Sequence, residues 1–340
     1  MRCVRLGRTE LHVSRVGLGG IPLQRPAEDV AVATIRHCHG LGINFIDTSI
    51  AYGTSEARIG KAIEPFRDEI VVATKSGWRG GRDSALECLE NSLTALRTPR
   101  IDLWQFHNVG TMEGYEGLFE PGGAMEAAEE ALSSGKVLHV GLTSHSLDVA
   151  KEATASGHFE TIQYPFNFVT KEPEAEQLPL VRQHDVGFIA MKPFGGGLLG
   201  PARLAIKYLL QFDEAVPDPG IETIEQADEI AALVNAPSHE LSDSEWAEIE
   251  EIRGRLGSRF CRQCGYCQPC PQGIQISLVM ITGVMWNDWP REKFIEWMTD
   301  AVDGARTCIE CGDCETRCPY GLEIRETLKA QVAFYDRVTS

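Results

Sequence analysis

Long hydrophobic runs are missing from this chain, and no stretch approaches the roughly 20 apolar residues needed to span a bilayer. The opening residues, MRCVRLGRTE, hold no apolar core of the kind that directs export, so a cytoplasmic protein is expected. Positive charge is scarce as well. Lys and Arg number 32 against 49 Asp and Glu, a net charge of -17. No basic patch offsets that field, so neither nucleic acid nor an anionic membrane is an expected partner. Internal repeats of solenoid length and low-complexity tracts are also absent from the sequence. Cysteine, by contrast, is abundant: there are 11, most of them in two short clusters near the C-terminus. Without an export signal, metal binding accounts for them better than a disulfide framework.

With 340 residues, 43% apolar and 24% charged, the chain has room for a barrel or doubly wound domain of roughly 250 residues plus a smaller appendage. Short apolar runs stand at 16–19, 44–47, 70–74, 103–106, 140–143, 161–164 and 187–191, with a weaker one at 215–217. Helix-like segments at 29–41, 56–63, 84–96, 123–133 and 202–212 lie between them. That alternation, about 30 residues per unit, predicts parallel βα units. Seven or eight of them in about 235 residues predict a closed (β/α)8 TIM barrel rather than an open sheet. The opening segment reads as a small hairpin, 4–6 against 11–13, that plugs the bottom of the barrel. Ser242 and Glu245 have capping-box spacing ahead of Trp246, Ile249, Ile252 and Leu256, which recur at helical intervals. This helix runs straight to Cys261, so the expected domains are 1–255, the barrel, and 256–340, a mainly α-helical domain with helical packing over 277–307.

The first cysteine cluster is Cys261, Cys264, Cys267 and Cys270, followed by Pro271; the second is Cys308, Cys311, Cys314 and Cys318, followed by Pro319. Three cysteines at three-residue intervals wrap one iron-sulfur cube, and a fourth, set before Pro, crosses to the other. Zinc modules use separated two-cysteine knuckles instead and suit this spacing badly. Two [4Fe-4S] clusters are expected. The crossover assigns Cys261, Cys264, Cys267 and Cys318 to one and Cys308, Cys311, Cys314 and Cys270 to the other. Two residues rather than three precede Cys270, which departs from the usual spacing. Cys3, Cys38 and Cys88 have no partners at ligand spacing and read as ordinary thiols.

In the first domain, Asp47 and Tyr52 follow the second expected strand, Lys75 the third and His107 the fourth. Active sites of such barrels are built on that rim. Any one of these residues alone reads as a helix cap, a solvated end or a satisfied core histidine. The set on consecutive units reads as a site. Asn44-Phe-Ile-Asp47-Thr-Ser-Ile-Ala-Tyr52-Gly53-x2-Glu56, Ala73-Thr-Lys75 and Gln105-Phe-His107 resemble the aldo-keto reductase pattern. So do Leu6-Gly-Arg-Thr9-x-Leu11-x-Val13-Ser14-x2-Gly17-Leu-Gly19, Gly141-Leu-Thr-Ser144, Gln163-Tyr164 and Ala190-Met-Lys-Pro-Phe-Gly195. The resemblance covers about residues 1–235, and the cysteine-rich tail resembles the bacterial ferredoxin domains fused to one branch of that family.

The resemblance implies an oxidoreductase interconverting a carbonyl and an alcohol on a small organic substrate. Tyr52 would be its general acid and base, with its phenol lowered by Lys75, Lys75 held by Asp47, and the carbonyl oriented by His107. Trp78 would line the substrate pocket. Thr143, Ser144 and Gln163 would hold a nicotinamide carboxamide, with Met191 against the ring and Lys192 beside it, and the Gly195-Gly196-Gly197 turn would admit the pyrophosphate. Two departures bear on the cofactor. Met191 stands where the family stacks an aromatic ring, and Gly220, Ile221 and Gln226 replace the basic and hydroxyl residues of a 2′-phosphate site. NAD(P)H is thus expected without a preference for NADPH. Nicotinamide moves electron pairs and iron-sulfur clusters move single electrons, yet no flavin fingerprint stands between them: Gly17-Leu-Gly19-Gly20 has the wrong spacing. Two alternatives follow. In one, an electron-transfer protein feeds the barrel through the clusters without nicotinamide; in the other, the barrel is a non-catalytic redox sensor or scaffold.

Overall fold

The computed structural model describes residues 1–256 and 259–340. The chain divides into two compact units, one of residues 1–195 and 201–241, the other of residues 196–200 and 242–340. The division falls at 241/242 rather than near 255. The helix Asp243–Leu256 buries Ile249 and Ile252 within the second unit.

The first unit opens with an antiparallel hairpin, β1 (Cys3–Arg5) and β2 (His12–Ser14). Eight parallel strands then follow in sequential order: β3 (Leu18–Gly19), β4 (Phe45–Asp47), β5 (Val71–Ser76), β6 (Ile101–Phe106), β7 (Val137–Thr143), β8 (Thr161–Pro165), β9 (Gly187–Met191) and β10 (Ala215–Asp218). The Gly19 and Gly220 backbones join by a parallel bridge, and Gly17 N and Gly19 N donate to Pro217 O and Pro219 O at 2.8 Å. The sheet is thereby returned onto itself as a (β/α)8 barrel. Helices such as Glu28–Gly40, Ser55–Ile63, Gly81–Ala95, Ala124–Ser133 and Ala202–Leu209 connect the strands. Each expected run and helix thus has its counterpart, with ends that coincide or shift by at most three residues.

Strand side chains alternate between faces, so residues two apart share the barrel interior. Phe45, Ala73, Leu103, Ile189 and Val216 form one buried layer with Leu6 and Val13 of the hairpin segment. Leu6 lies against Gly187 at the start of β9, so the hairpin does plug the end where the strands begin. Two residues further along the strands come Asp47, Lys75, Gln105 and Asp218, and the apolar layer gives way to a polar one.

In the second unit, helices Ile276–Val279, Thr282–Asp288, Arg291–Ala305 and Ile324–Thr339 surround a core of Ile274, Ile276, Val279, Met280, Ala301, Leu322, Ile324 and Leu328. Cys267 and Cys314 are buried within that core. No described helix is long and apolar enough to cross a membrane.

Candidate functional site

The polar layer of the barrel is built around one buried ion pair. Lys75 Nζ donates to Asp47 Oδ2, and the two side chains are 2% and 3% exposed. The same ammonium donates to Thr48 O at 2.8 Å, and Asp47 Oδ1 accepts from Gln105 Nε2 at 3.0 Å. Three strands, β4, β5 and β6, fix these groups in register, with Asp47 opposite Ala73 and Lys75 opposite Gln105. Tyr52 arrives from the turn after β4, where its N–H bonds Ser49 O, and its ring centroid lies 4.9 Å from Lys75 Nζ. His107 follows β6, its N–H bonding Ser76 O, and its ring meets Tyr52 edge-on at 5.7 Å. The structure brings Asp47, Tyr52, Lys75 and His107 together at the strand ends.

Burial alone would push the Lys75 ammonium down, but Asp47, Tyr52 and Asp218 outweigh it and hold its pKa above the usual lysine range. The Tyr52 phenol was expected to be lowered by Lys75. It is raised instead, because burial dominates and Asp47 and Asp218 add to the rise, with Lys75 offsetting only part. A protonated phenol is therefore the resting form. Burial, reinforced by Lys75, lowers His107 to about 3, so the imidazole is neutral. The Ser49 hydroxyl lies 3.1 Å from His107 Nδ1 and orients the ring. A proton donor at Tyr52 and a neutral imidazole beside it are suited to holding and protonating a carbonyl oxygen.

Three members of this layer escaped the sequence reading. Gln105 is fully buried against Asp47. Asp218, at the end of β10, accepts from Gln163 Nε2 at 3.2 Å. Ser49 holds His107. The period-two alternation Phe45/Asp47, Ala73/Lys75, Leu103/Gln105 and Val216/Asp218 was the available signal.

Among the residues expected around a nicotinamide, Gln163 Oε1 is buried without a hydrogen-bond partner among the described residues. Thr143 Oγ1 accepts from Asn108 N at 2.8 Å, and Ser144 Oγ donates to Val109 O at 2.7 Å while accepting from Ser146 N. Their hydroxyls are thus tied to neighbouring loops. Met191 and Lys192 are half-buried, and Lys192 has a left-handed backbone, φ 56°. Gly195, Gly196 and Gly197 all have positive φ, and a Cβ at Gly197 would meet nothing within 4 Å. Within the first unit, the unpartnered Gln163 oxygen suits an amide N–H such as a carboxamide's. Gly196 and Gly197 belong to the second compact unit, and Gly196 packs on Val284. After β10, Gly220 bridges Gly19, Ile221 is buried, and Gln226 Oε1 accepts from Glu222 N at 2.9 Å. Arg25 also reaches this segment, but its guanidinium is paired with Glu222 at 2.9 Å. Trp78 packs edge-on against Gly114, and its Nε1 is buried without a partner among the described residues.

The cysteines of the second unit fall into two cavities. One is lined by Cys261, Cys264, Cys267 and Cys318. The other is lined by Cys270, Cys308, Cys311 and Cys314, with Arg317 and Arg325 at its wall. Ile276 lines both. Each cavity mixes three thiols of one motif with one of the other. A set of four soft sulfur donors suits an iron-sulfur cube.

Comparison with known proteins agrees with both halves. The Aldo/keto reductase family matches residues 15–201, more than half of the chain, and a 4Fe-4S dicluster domain matches residues 260–323. The chain is 33% identical over 212 residues to the uncharacterized oxidoreductase YqkF of Bacillus subtilis, covering 58% of this chain and 67% of the relative. The solved aldo-keto reductase AKR11C1 of Bacillus halodurans is similar with a TM-score of 0.64 at 26% identity, over 74% of this chain and 96% of its own. An aldo-keto reductase from Klebsiella pneumoniae in complex with NADPH shares the fold, with a TM-score of 0.63 at 22% identity over 74% of this chain and 95% of its own. The chain belongs to the aldo/keto reductase family and carries a C-terminal 4Fe-4S dicluster domain, and it is an oxidoreductase of that type.

Proposed function

We propose that the enzyme interconverts a carbonyl and an alcohol on a small organic substrate, with Tyr52 exchanging the proton. The observation that carries this reading is the Tyr52 phenol standing over the buried Lys75–Asp47 pair, with a neutral His107 at its edge. Bound reduced nicotinamide would supply a hydride. In the reducing direction the Tyr52 O–H donates to the carbonyl oxygen as negative charge develops there. Lys75 stabilises the phenolate left behind, and Asp47 and Thr48 O hold the ammonium in place. The Ser49 hydroxyl is within reach of both Lys75 O, at 3.2 Å, and His107 Nδ1, at 3.1 Å; turned to Nδ1 it fixes the tautomer in which His107 donates an Nε2–H bond to the same oxygen. Trp78 forms part of the substrate wall. Gln163 Oε1 would accept from the carboxamide, and the Gly195–Gly197 turn with Lys192 would receive the pyrophosphate. Because Arg25 is already neutralised by Glu222, the reading favours NADH over NADPH.

In the second unit, Cys261, Cys264, Cys267 and Cys318 would ligate one [4Fe-4S] cluster, and Cys270, Cys308, Cys311 and Cys314 the other. These clusters would supply one-electron chemistry.

Calorimetry with NADH and NADPH on cluster-replete protein tests the nicotinamide reading, together with transfer of deuterium from C4-deuterated NADH to an aldehyde. Tight NADH binding and a deuterated alcohol are expected. A second reading dispenses with nicotinamide and feeds the clusters from a ferredoxin-like protein. It draws support from the tied hydroxyls of Thr143 and Ser144. Absence of binding by either nucleotide, with turnover on reduced ferredoxin, would replace the first reading by the second.

A further inference from the structure

The barrel holds a carboxyl group that the tetrad chemistry does not use. Asp218 ends β10 between Pro217 and Pro219 and is 7% exposed. Its Oδ2 accepts from Gln163 Nε2 at 3.2 Å, while its Oδ1 is buried without a hydrogen-bond donor among the described residues. Asp47 and Asp218 flank β3, whose Gly19 pairs with Asp47 and lies against the Asp218 carbonyl, and the two carboxyls share the polar layer and feel one another's charge. Each Asp47 oxygen accepts one bond, from Lys75 and from Gln105, and keeps a further lone pair free to accept. Two ionised carboxylates cannot share such a dry site at low energy. Lys75 carries one positive charge, enough for one of them.

We propose that Asp218 is a fifth member of the site: it carries a proton, shared with Asp47, that keeps the field of Lys75 on Tyr52 uncancelled and fixes the orientation of Gln163. The proton gives the pair the bond it otherwise lacks. It also brings the formal charge of Lys75, Asp47 and Asp218 to zero instead of -1. With Asp218 neutral, its second oxygen still holds Gln163 Nε2, so the Gln163 carbonyl stays directed away from Asp218. Asp218 is thus a positioning residue that acts through Asp47, Lys75 and Gln163. The charged and titratable groups facing it are Asp47 from β4, Lys75 from β5 and Tyr52 from the turn after β4. Its neighbours β9 (GFIAM) and β3 (LG) contribute none. Burial pushes the Asp218 carboxyl well above the usual range and Asp47 adds to the rise, with Lys75 opposing. As pH climbs through that raised value, Asp218 ionises, a second negative charge appears beside Lys75, and the Tyr52 phenol becomes still harder to ionise. The consequence for turnover rests on the acid-base reading of Tyr52; the proton itself does not.

The test uses the full-length, cluster-loaded protein and needs no substrate. Infrared difference spectra of the protein minus its Asp218→Asn variant at pH 7 should show the carbonyl stretch of an un-ionised carboxylic acid. That band should move down on deuteration and give way to carboxylate bands on alkalinisation. In an Asp47→Asn background, Asp218 faces Lys75 alone and the acid band should be lost at pH 7. Carboxylate bands only in the first comparison, or an acid band that survives in the second, would overturn the proposal. Tyr52 can be titrated separately through its phenolate absorption, as the difference against Tyr52→Phe. In Asp218→Asn its midpoint should fall by about one pH unit, and an unchanged midpoint would refute the coupling. Turnover unaffected in Tyr52→Phe would sink the acid-base reading while leaving these spectra as they are.

Discussion

Lys75→Met removes the ammonium while keeping most of the side chain's volume. Asp47 then keeps Gln105 Nε2 as a donor but loses its counter-ion at 3% exposure, and Thr48 O loses its hydrogen bond. Breaking a buried pair from one side is destabilising by about 3–5 kcal/mol, chiefly because the remaining charge is stranded. At about 1.4 kcal/mol per decade, local opening of β4 and β5 should become roughly 100- to 3,000-fold more frequent. Hydrogen exchange by mass spectrometry on peptides covering 45–47 and 71–76 reads this directly. It also avoids assuming that a two-unit chain unfolds in one step. Adding Asp47→Asn removes the stranded charge and should recover at least about tenfold of the lost protection. Exchange in Lys75→Met within about threefold of the parent at pH 7, or a double variant no better than the single, would refute the electrostatic account.

Three further outcomes are expected. His107, lowered to about 3 by burial and Lys75, stays neutral in the folded state while the unfolded imidazole titrates near 6.5. Stability should therefore fall as pH drops through that window, by on the order of 2 kcal/mol at pH 5, and His107→Gln should flatten that loss in the same exchange measurement. Gly187→Ala would place a Cβ 2.7 Å from Leu6 Cγ under the hairpin plug. It should cost about 1–3 kcal/mol, seen as a lower barrel melting temperature with the cluster absorption unchanged. Cys318→Ser should remove the cluster facing Cys261, Cys264 and Cys267, lowering iron from about eight to about four atoms per chain. Retention of the Cys308 cluster, followed by electron paramagnetic resonance, distinguishes this from general collapse.

The barrel was legible because each buried strand is a short apolar run and each helix an amphipathic one, so the two periods alternate cleanly along the chain. The tetrad was legible because its members sit at or just past the ends of those runs, where polar residues interrupt an apolar pattern. Gln105 lies inside its run between Trp104 and Phe106, and Asp218 follows the weakest run between two prolines. Only the inward parity shared with Lys75 and Asp47 marks them. The sign of the Tyr52 shift was beyond the sequence too, since it depends on how completely the phenol is buried and on a second carboxylate brought from β10, over 160 residues away. Arg25 could not be placed beside Glu222 from spacing alone. The cysteine spacing, in contrast, announced its own chemistry, and the two sets of four sulfurs that its crossover assigns are the sets that line the two cavities.

The central claim is that Tyr52 exchanges the proton in turnover. Its most direct test is the single-turnover rate of Tyr52→Phe against the parent, on cluster-replete protein with an aldehyde and NADH, with nucleotide affinity measured in parallel. The account predicts a rate lowered by about 100- to 10,000-fold with nucleotide affinity unchanged. A rate within about threefold of the parent at equal nucleotide affinity would contradict it.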